Sequence, residues 1–144
     1  MRSVSDPDPD DDPPPVLHLR RRARLEDASA LRKALVHWAR AHRLSAALIT
    51  DLELAVYEAL VNSAEHAYPG DTEGSLDLHA HHEDQVVRVT VTDHGRWRPQ
   101  PPPDPLRGRG VPLIHLLADH TDIAATEQGT TVTMTWQLSR HCAD

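Results

Sequence analysis

Residues 76–92 contain two runs of strict alternation: Leu76, Leu78 and Ala80 against Asp77, His79 and His81, then Val87, Val89 and Val91 against Arg88, Thr90 and Thr92. Only Glu83-Asp84-Gln85 separates them, which suits a hairpin and leaves no room for a crossover helix, so the two strands pair antiparallel. Side chains two apart share a face, so this sheet has one apolar face and one polar face. Such a sheet needs a cover on its apolar side only, and the cover must come from helices elsewhere in the chain.

Two long segments have the period for it. Ser45 has the chemistry of an N-cap, and Leu48, Leu52, Ala55, Val56, Ala59, Leu60 and Ser63 form one stripe until Pro69-Gly70 ends the run. The other face of that helix carries Glu58, Asn62, Glu65 and His66. An earlier helix is expected with Asp27 as its N-cap and Leu31, Ala34, Leu35, Trp38 and Ala41 at three- and four-residue steps. A third, over residues 111–118, has Pro112 in its first turn, where the missing N–H costs nothing. Further strands are expected over residues 16–24, 122–126 and 131–138, with Gln128-Gly129 turning between the last two. The fold class is α+β: a two-layer α/β sandwich with a mixed, mostly antiparallel sheet and its helices on one face.

At 144 residues the chain has the size of one domain. Residues 1–15 hold five Asp and five Pro, too polar to bury a core, and are expected to form a disordered tail. The domain is expected over 16–138, with 139–144 as a C-terminal tail. The net charge is −7, of which −4 falls in residues 1–12, so the folded part is only mildly acidic. With pI about 5.8 and no Phe, the surface suits no direct contact with nucleic acid. The single Cys142 excludes an internal disulfide. No apolar run approaches the roughly 20 residues of a membrane span, and the N-terminus lacks the pattern of a secretory signal, so a cytoplasmic protein without membrane contact is expected.

Four short segments hold residues suited to chemistry. Glu58 and Asn62 lie one turn apart, placing a carboxylate beside a carboxamide whose oxygen is a hard ligand, although the pair alone reads better as a polar, solvated helix face. Asp93-His94-Gly95 ends a Val-rich strand, where a carboxylate can accept from an exocyclic amine and Gly lets a flat base approach; it also reads as an ordinary strand-ending turn. Arg107-Gly108-Arg109-Gly110 precedes a helix, whose free N–H groups favour anions; a flexible loop reads the same way. Gly129-Thr130 opens the last strand, where Thr is common for its β propensity alone.

Taken together in this order, the segments resemble the motifs of the GHKL ATPases, which share the Bergerat ATP-binding fold, and within them the small anti-sigma-factor serine kinases. YEALVNSAEHAY is similar to the N box, TDHGRW to the first glycine box, RGRGVPLIHLLAD to the second and GTTVTMTW to the third. The resemblance covers about residues 16–138. It implies that Asn62 coordinates Mg²⁺ bridging the phosphates of ATP and that Glu58 is the base for an attacking hydroxyl. Asp93 would hold the adenine amine, with Gly95 beneath the ring and Thr130 adding a hydrogen bond. Gly108 and Gly110 would shape a lid over the phosphates. Beyond the family pattern, Arg107 and Arg109 are assigned as phosphate contacts, and His66, one turn after Asn62, is placed to reach the same groups. Arg96-Trp97 stands where many members have a further Gly.

The function so implied is that of a protein serine/threonine kinase of the anti-sigma type. It would withhold a sigma factor and phosphorylate a STAS-type anti-anti-sigma factor. Sigma binding would fall near residues 27–42, beside a homodimer contact. The alternative is an ATP-binding module that sequesters its partner without phosphoryl transfer. His79-Ala80-His81-His82 invites a metal-site reading, but no carboxylate or Cys completes a set locally and exposed histidines are expected. Trp38 reads as core, whereas Trp97 sits in a loop with five Pro between residues 96 and 107, expected to be long and exposed.

Overall fold

The computed structural model describes residues 15–66, 74–94, 110–126 and 129–140. Five strands, β1 (Val16–Arg22), β2 (Ser75–Glu83), β3 (Val86–Asp93), β4 (His120–Thr126) and β5 (Gly129–Gln137), form one sheet in the order β1-β2-β3-β5-β4. Its four pairings are all antiparallel, which narrows the expected mixed sheet. Helices α1 (Leu25–Ala41), α2 (Ala46–His66) and α3 (Gly110–Leu117) supply the cover.

The alternation works as its period requires. Leu76, Leu78 and Ala80 of β2, Val87, Val89 and Val91 of β3, and Val132, Met134 and Trp136 of β5 all enter one core with Leu31, Leu35 and Trp38 of α1 and Leu48, Leu52, Val56 and Leu60 of α2. The residues between them on each strand form the polar face. The hairpin turns at Asp84, which takes φ +57°, a left-handed conformation that a short polar side chain tolerates.

Helix α2 starts as expected: the Leu48 N–H donates to Ser45 Oγ at 3.1 Å. Helix α1 does not. It begins at Leu25, with the Ala28 N–H donating to the Arg24 carbonyl, and Asp27 lies in its first turn rather than at the cap. The Asp27 carboxylate instead accepts from Arg24 Nε at 2.9 Å, a contact that also favours the positive helix N-terminus. Strand β1 consequently stops at Arg22, two residues short of the expected end. The lengths of β4 and β5 shift too, because the Asp119 N–H donates to the Thr135 carbonyl and Asp119 Oδ2 accepts from the Gln137 N–H, fastening the chain to β5 before β4 begins. The Trp136 indole N–H donates to the Leu117 carbonyl at 2.9 Å and ties the end of α3 to the same strand. Among the described residues no helix is long and apolar enough to cross a membrane. Of the expected tails over residues 1–15 and 139–144, residues 1–14 and 141–144 lie outside the described residues, as does the Pro-rich loop with Trp97, while the Pro15 carbonyl accepts from the His82 N–H at 3.0 Å and a 3-10 turn runs over Leu138–Arg140.

Candidate functional site

Asp93 ends β3 with the parity of Val87, Val89 and Val91, so its side chain turns toward the helix layer. It is only 3% exposed, and a carboxylate at that depth requires donors. One is the backbone N–H of Thr130, which donates to Oδ1 at 3.1 Å. Gly129 makes this approach possible. Its φ is +148°, and a Cβ there would stand 2.0 Å from the Asp93 carbonyl oxygen, so no side chain fits. The Gly-Thr step therefore does more than favour a strand: it brings the backbone of β5 against a buried acid at the end of β3.

Glu58 and Asn62 are both half-buried on α2, one turn apart, flanking the buried Ala59 and Ser63. They stand at the margin of the buried stripe rather than on the outer face where the sequence placed them. Helix α2 packs on β2, β3 and α3. The donor chemistry at this margin, one amide oxygen and one carboxylate, suits a hard divalent cation and a proton acceptor. Gly110 is the first residue of α3, and His66 is the last of α2 with its side chain outside the described residues. Gly95, Arg107, Gly108 and Arg109 also lie outside them. The structure thus brings together Asp93, Gly129 and Thr130.

The sequence reading missed a second group, on the opposite face of the same strand end. Asp77, which alternation assigns to the polar face, is only 8% exposed. It lies directly across from Arg20 in the β1–β2 register, and Arg20 grips it with two bonds, Nε to Oδ1 at 2.9 Å and Nη2 to Oδ2 at 3.1 Å. His94 Nε2 donates to Oδ2 at 2.6 Å, and His18 Nε2 lies 3.5 Å from Oδ1. The Arg20 hydrogen bond holds the Asp77 carboxyl at about 2, against the opposing effect of burial and with further help from His94. Period-two patterning assigns Asp77 its face but cannot reveal the cation that β1 sets opposite it.

The histidines of β2 do not converge. His79 packs its ring edge-on to His18 at 5.6 Å, His81 lies 3.3 Å from Glu83, and His82 meets His42 with their Nδ1 atoms 2.8 Å apart. Burial, with the neighbouring charges of His42 and His81, lowers the His82 pKa from its ordinary 6.5. Among the described residues no group of three His, Cys, Asp or Glu side chains is arranged to hold a metal ion.

Residues 22–136 match the sequence profile of the histidine kinase-like ATPase domain. A 47-residue segment is 38% identical to the serine-protein kinase RsbW of Listeria innocua serovar 6a, covering 33% of this chain and 30% of that protein. The structure of the RsbU and RsbW domains of Rv1364c from Mycobacterium tuberculosis superposes with a TM-score of 0.71 at 27% identity, over 86% of this chain and 32% of that one. The histidine kinase domain of a blue-light-activated histidine kinase from Erythrobacter litoralis superposes with a TM-score of 0.54 at 25% identity, over 65% and 46% of the two chains. The match thus spans less than a third of the length of the first two relatives.

Proposed function

Since the chain belongs to the histidine kinase-like ATPase domain family, we propose that it is a Mg²⁺- and ATP-dependent protein serine/threonine kinase of the anti-sigma type, acting in the cytoplasm. It sequesters a sigma factor and phosphorylates a STAS-type anti-anti-sigma factor. The observation that carries the reading is the buried Asp93 held by Thr130 beneath a glycine that admits no side chain. An acceptor oxygen at the end of a strand, backed by a close-packed backbone, fits the exocyclic amine of a purine. The similarity to a protein named serine-protein kinase RsbW supports the choice of a protein hydroxyl as acceptor.

In this mechanism Asp93 orients the base, Asn62 would hold a magnesium ion through its amide oxygen, and Glu58 takes the proton of the serine or threonine hydroxyl as that hydroxyl's oxygen bonds to the γ-phosphorus and ADP departs. Magnesium, when bound, would supply charge neutralisation on the phosphates, and most of the remaining work is positioning, which a small domain can provide. In this reading Arg107 and Arg109 would add charge at the phosphates, His66 would serve the same groups, Gly108 and Gly110 would shape the covering loop, and Gly95 would support the base.

The test is transfer of labelled phosphate from ATP to candidate STAS proteins. Glu58→Gln should abolish transfer, by a factor of about 10²–10⁴ for loss of a general base, while ATP affinity stays near wild type. Asn62→Ala should remove the magnesium dependence of ATP binding. Wild-type protein that binds ATP and transfers nothing would establish the sequestering module instead, and absence of ATP binding with magnesium present would overturn both readings.

A further inference from the structure

The two imidazoles whose Nδ1 atoms stand 2.8 Å apart join segments 40 residues apart in the chain. His42 closes α1. Its N–H donates to the Trp38 carbonyl, the Arg43 N–H to the Arg40 carbonyl and the Leu44 N–H to the Ala39 carbonyl, with Arg43 turned left-handed at φ +59°. His82 lies near the end of β2, opposite Val87 at the start of β3, and its own N–H is given to the Pro15 carbonyl. It has the parity of Leu76, Leu78 and Ala80, so its ring turns toward the helix layer and meets His42 edge-on, with centroids 4.9 Å apart. The buried Trp38 packs its indole against the His42 ring at 4.4 Å. The corner between α1 and α2, residues 42–45, is thereby tied to the sheet at the end opposite Asp93.

A hydrogen bond between two Nδ1 atoms needs one proton between them. With both rings neutral, one carries its proton on Nδ1 and the other on Nε2. With one ring an imidazolium, its Nδ1–H donates to the other ring and the bond gains charge. With both rings charged, two N–H groups face each other, neither nitrogen keeps a lone pair to accept, and the contact has to open. Both rings are half-buried, so water screens that repulsion only in part. The other charged groups around the pair are His81 and Glu83, 3.3 Å apart on the opposite face of β2, Arg88 across from His81, Arg40 and Arg43 at the exposed end of α1, and Asp84 in the hairpin turn. Burial, then the charges of His42 and His81, keep a proton from His82 until the pH lies below its ordinary 6.5.

We propose that His42 and His82 form an acid-operated latch: while they share one proton they hold the α1–α2 corner to β2, and a second proton releases it. The switch is a local charge change acting on one corner of the fold. Its regulatory consequence rests on the proposed partner contact over residues 27–42, because release frees the last turn of α1 within that surface. The latch itself rests on the geometry of the two rings and needs neither nucleotide nor partner.

The test follows amide hydrogen exchange in the full chain between about pH 7.5 and about pH 5, where histidines change charge, with rates corrected for the intrinsic pH dependence of exchange. The amides of His42, Arg43 and Leu44 close the helix and report the corner; those of Val89 and Val91, in the middle of the sheet, report global unfolding. In the wild type the corner should exchange faster than Val89 and Val91 at every pH, and its protection should fall about tenfold on acidification, the size of one hydrogen bond. His82→Asn places an amide where Nδ1 stood and takes up no proton, so its corner should keep constant protection. His42→Asn, which removes the facing cation, should shrink the fall, and it keeps the comparison open if one variant fails to fold. An equal fall in wild type and variant overturns the latch, as does wild-type protection that ignores pH, or a corner that exchanges only as fast as Val89 and Val91. Should the kinase reading fall, the same exchange rates still support or overturn the latch.

Discussion

Lowering the pH should remove a specific part of the folding free energy, the part held by Asp77. Its carboxyl sits at about 2 instead of 3.8, with the Arg20 bond as the leading cause. Each unit corresponds to about 1.4 kcal/mol between protonation states, so the depression stores about 2.5 kcal/mol at most. Arg20 is 64% exposed, and solvent screening reduces that figure, so 1–2 kcal/mol is the roughly expected range. The sign follows from linkage. A depressed native pKa means that the unfolded chain takes up the proton first, so the stabilisation is complete above the unfolded value and is lost as pH falls from there through about 2. Urea unfolding of wild type and Asp77→Asn, run in parallel from about pH 7 to about pH 2.5, isolates the effect because every other carboxylate titrates in both proteins. The variant keeps the shape of the side chain, and the partners it deprives, Arg20 and His94, are exposed enough for water to replace it. The wild type should lead by about 1–2 kcal/mol at neutral pH, with the gap shrinking below the ordinary carboxylate range. A gap that stays constant down to the lowest pH would refute the assignment of Asp77 as an ionised, Arg20-held group.

Gly129→Ala should cost about 3 kcal/mol, combining a backbone conformation that side chains rarely adopt with a collision on the Asp93 carbonyl; a urea-derived loss below about 1 kcal/mol would mean that the β3–β5 contact is loose. His82 resists protonation in the folded state because of burial and of His42 and His81 nearby, so the unfolded chain binds that proton more readily. Stability should therefore decline as pH falls below about 6.5 toward the lowered value, and His82→Leu should flatten that slope in urea titrations; a steeper slope in the variant would reverse the argument.

Local pattern revealed most of the architecture because the strands obey period two and α2 obeys period 3.6. The β2–β3 hairpin, the Ser45 cap, the one-sided helix layer and Asp93 at a strand end could all be read from neighbours in sequence. Asp27 was misplaced for a physical reason: the Arg24 guanidinium competes with the free backbone N–H groups of the first turn for its carboxylate, and takes it. Glu58 and Asn62 were placed on the outer face of their helix and stand half-buried at the margin of its stripe, because a helical wheel knows the stripe and not the width of the surface it packs against.

Asp77 shows where such reading stops. Alternation gives it the polar face, and that is correct, yet the polar face is not the same as water. The residue opposite it is 57 positions earlier in the chain, and only the β1–β2 register makes Arg20 its neighbour. Register across distant strands is set by the sum of core contacts on the other face, Leu17 and Leu19 packing with Leu76, Leu78 and Ala80, so the ion pair is chosen by residues that never touch it. A one-residue slip would send Leu17 and Leu19 outward and carry Arg20 away from Asp77 together. The apolar core thus fixes the electrostatics of the open face, where Arg20 and His94 both reach Asp77.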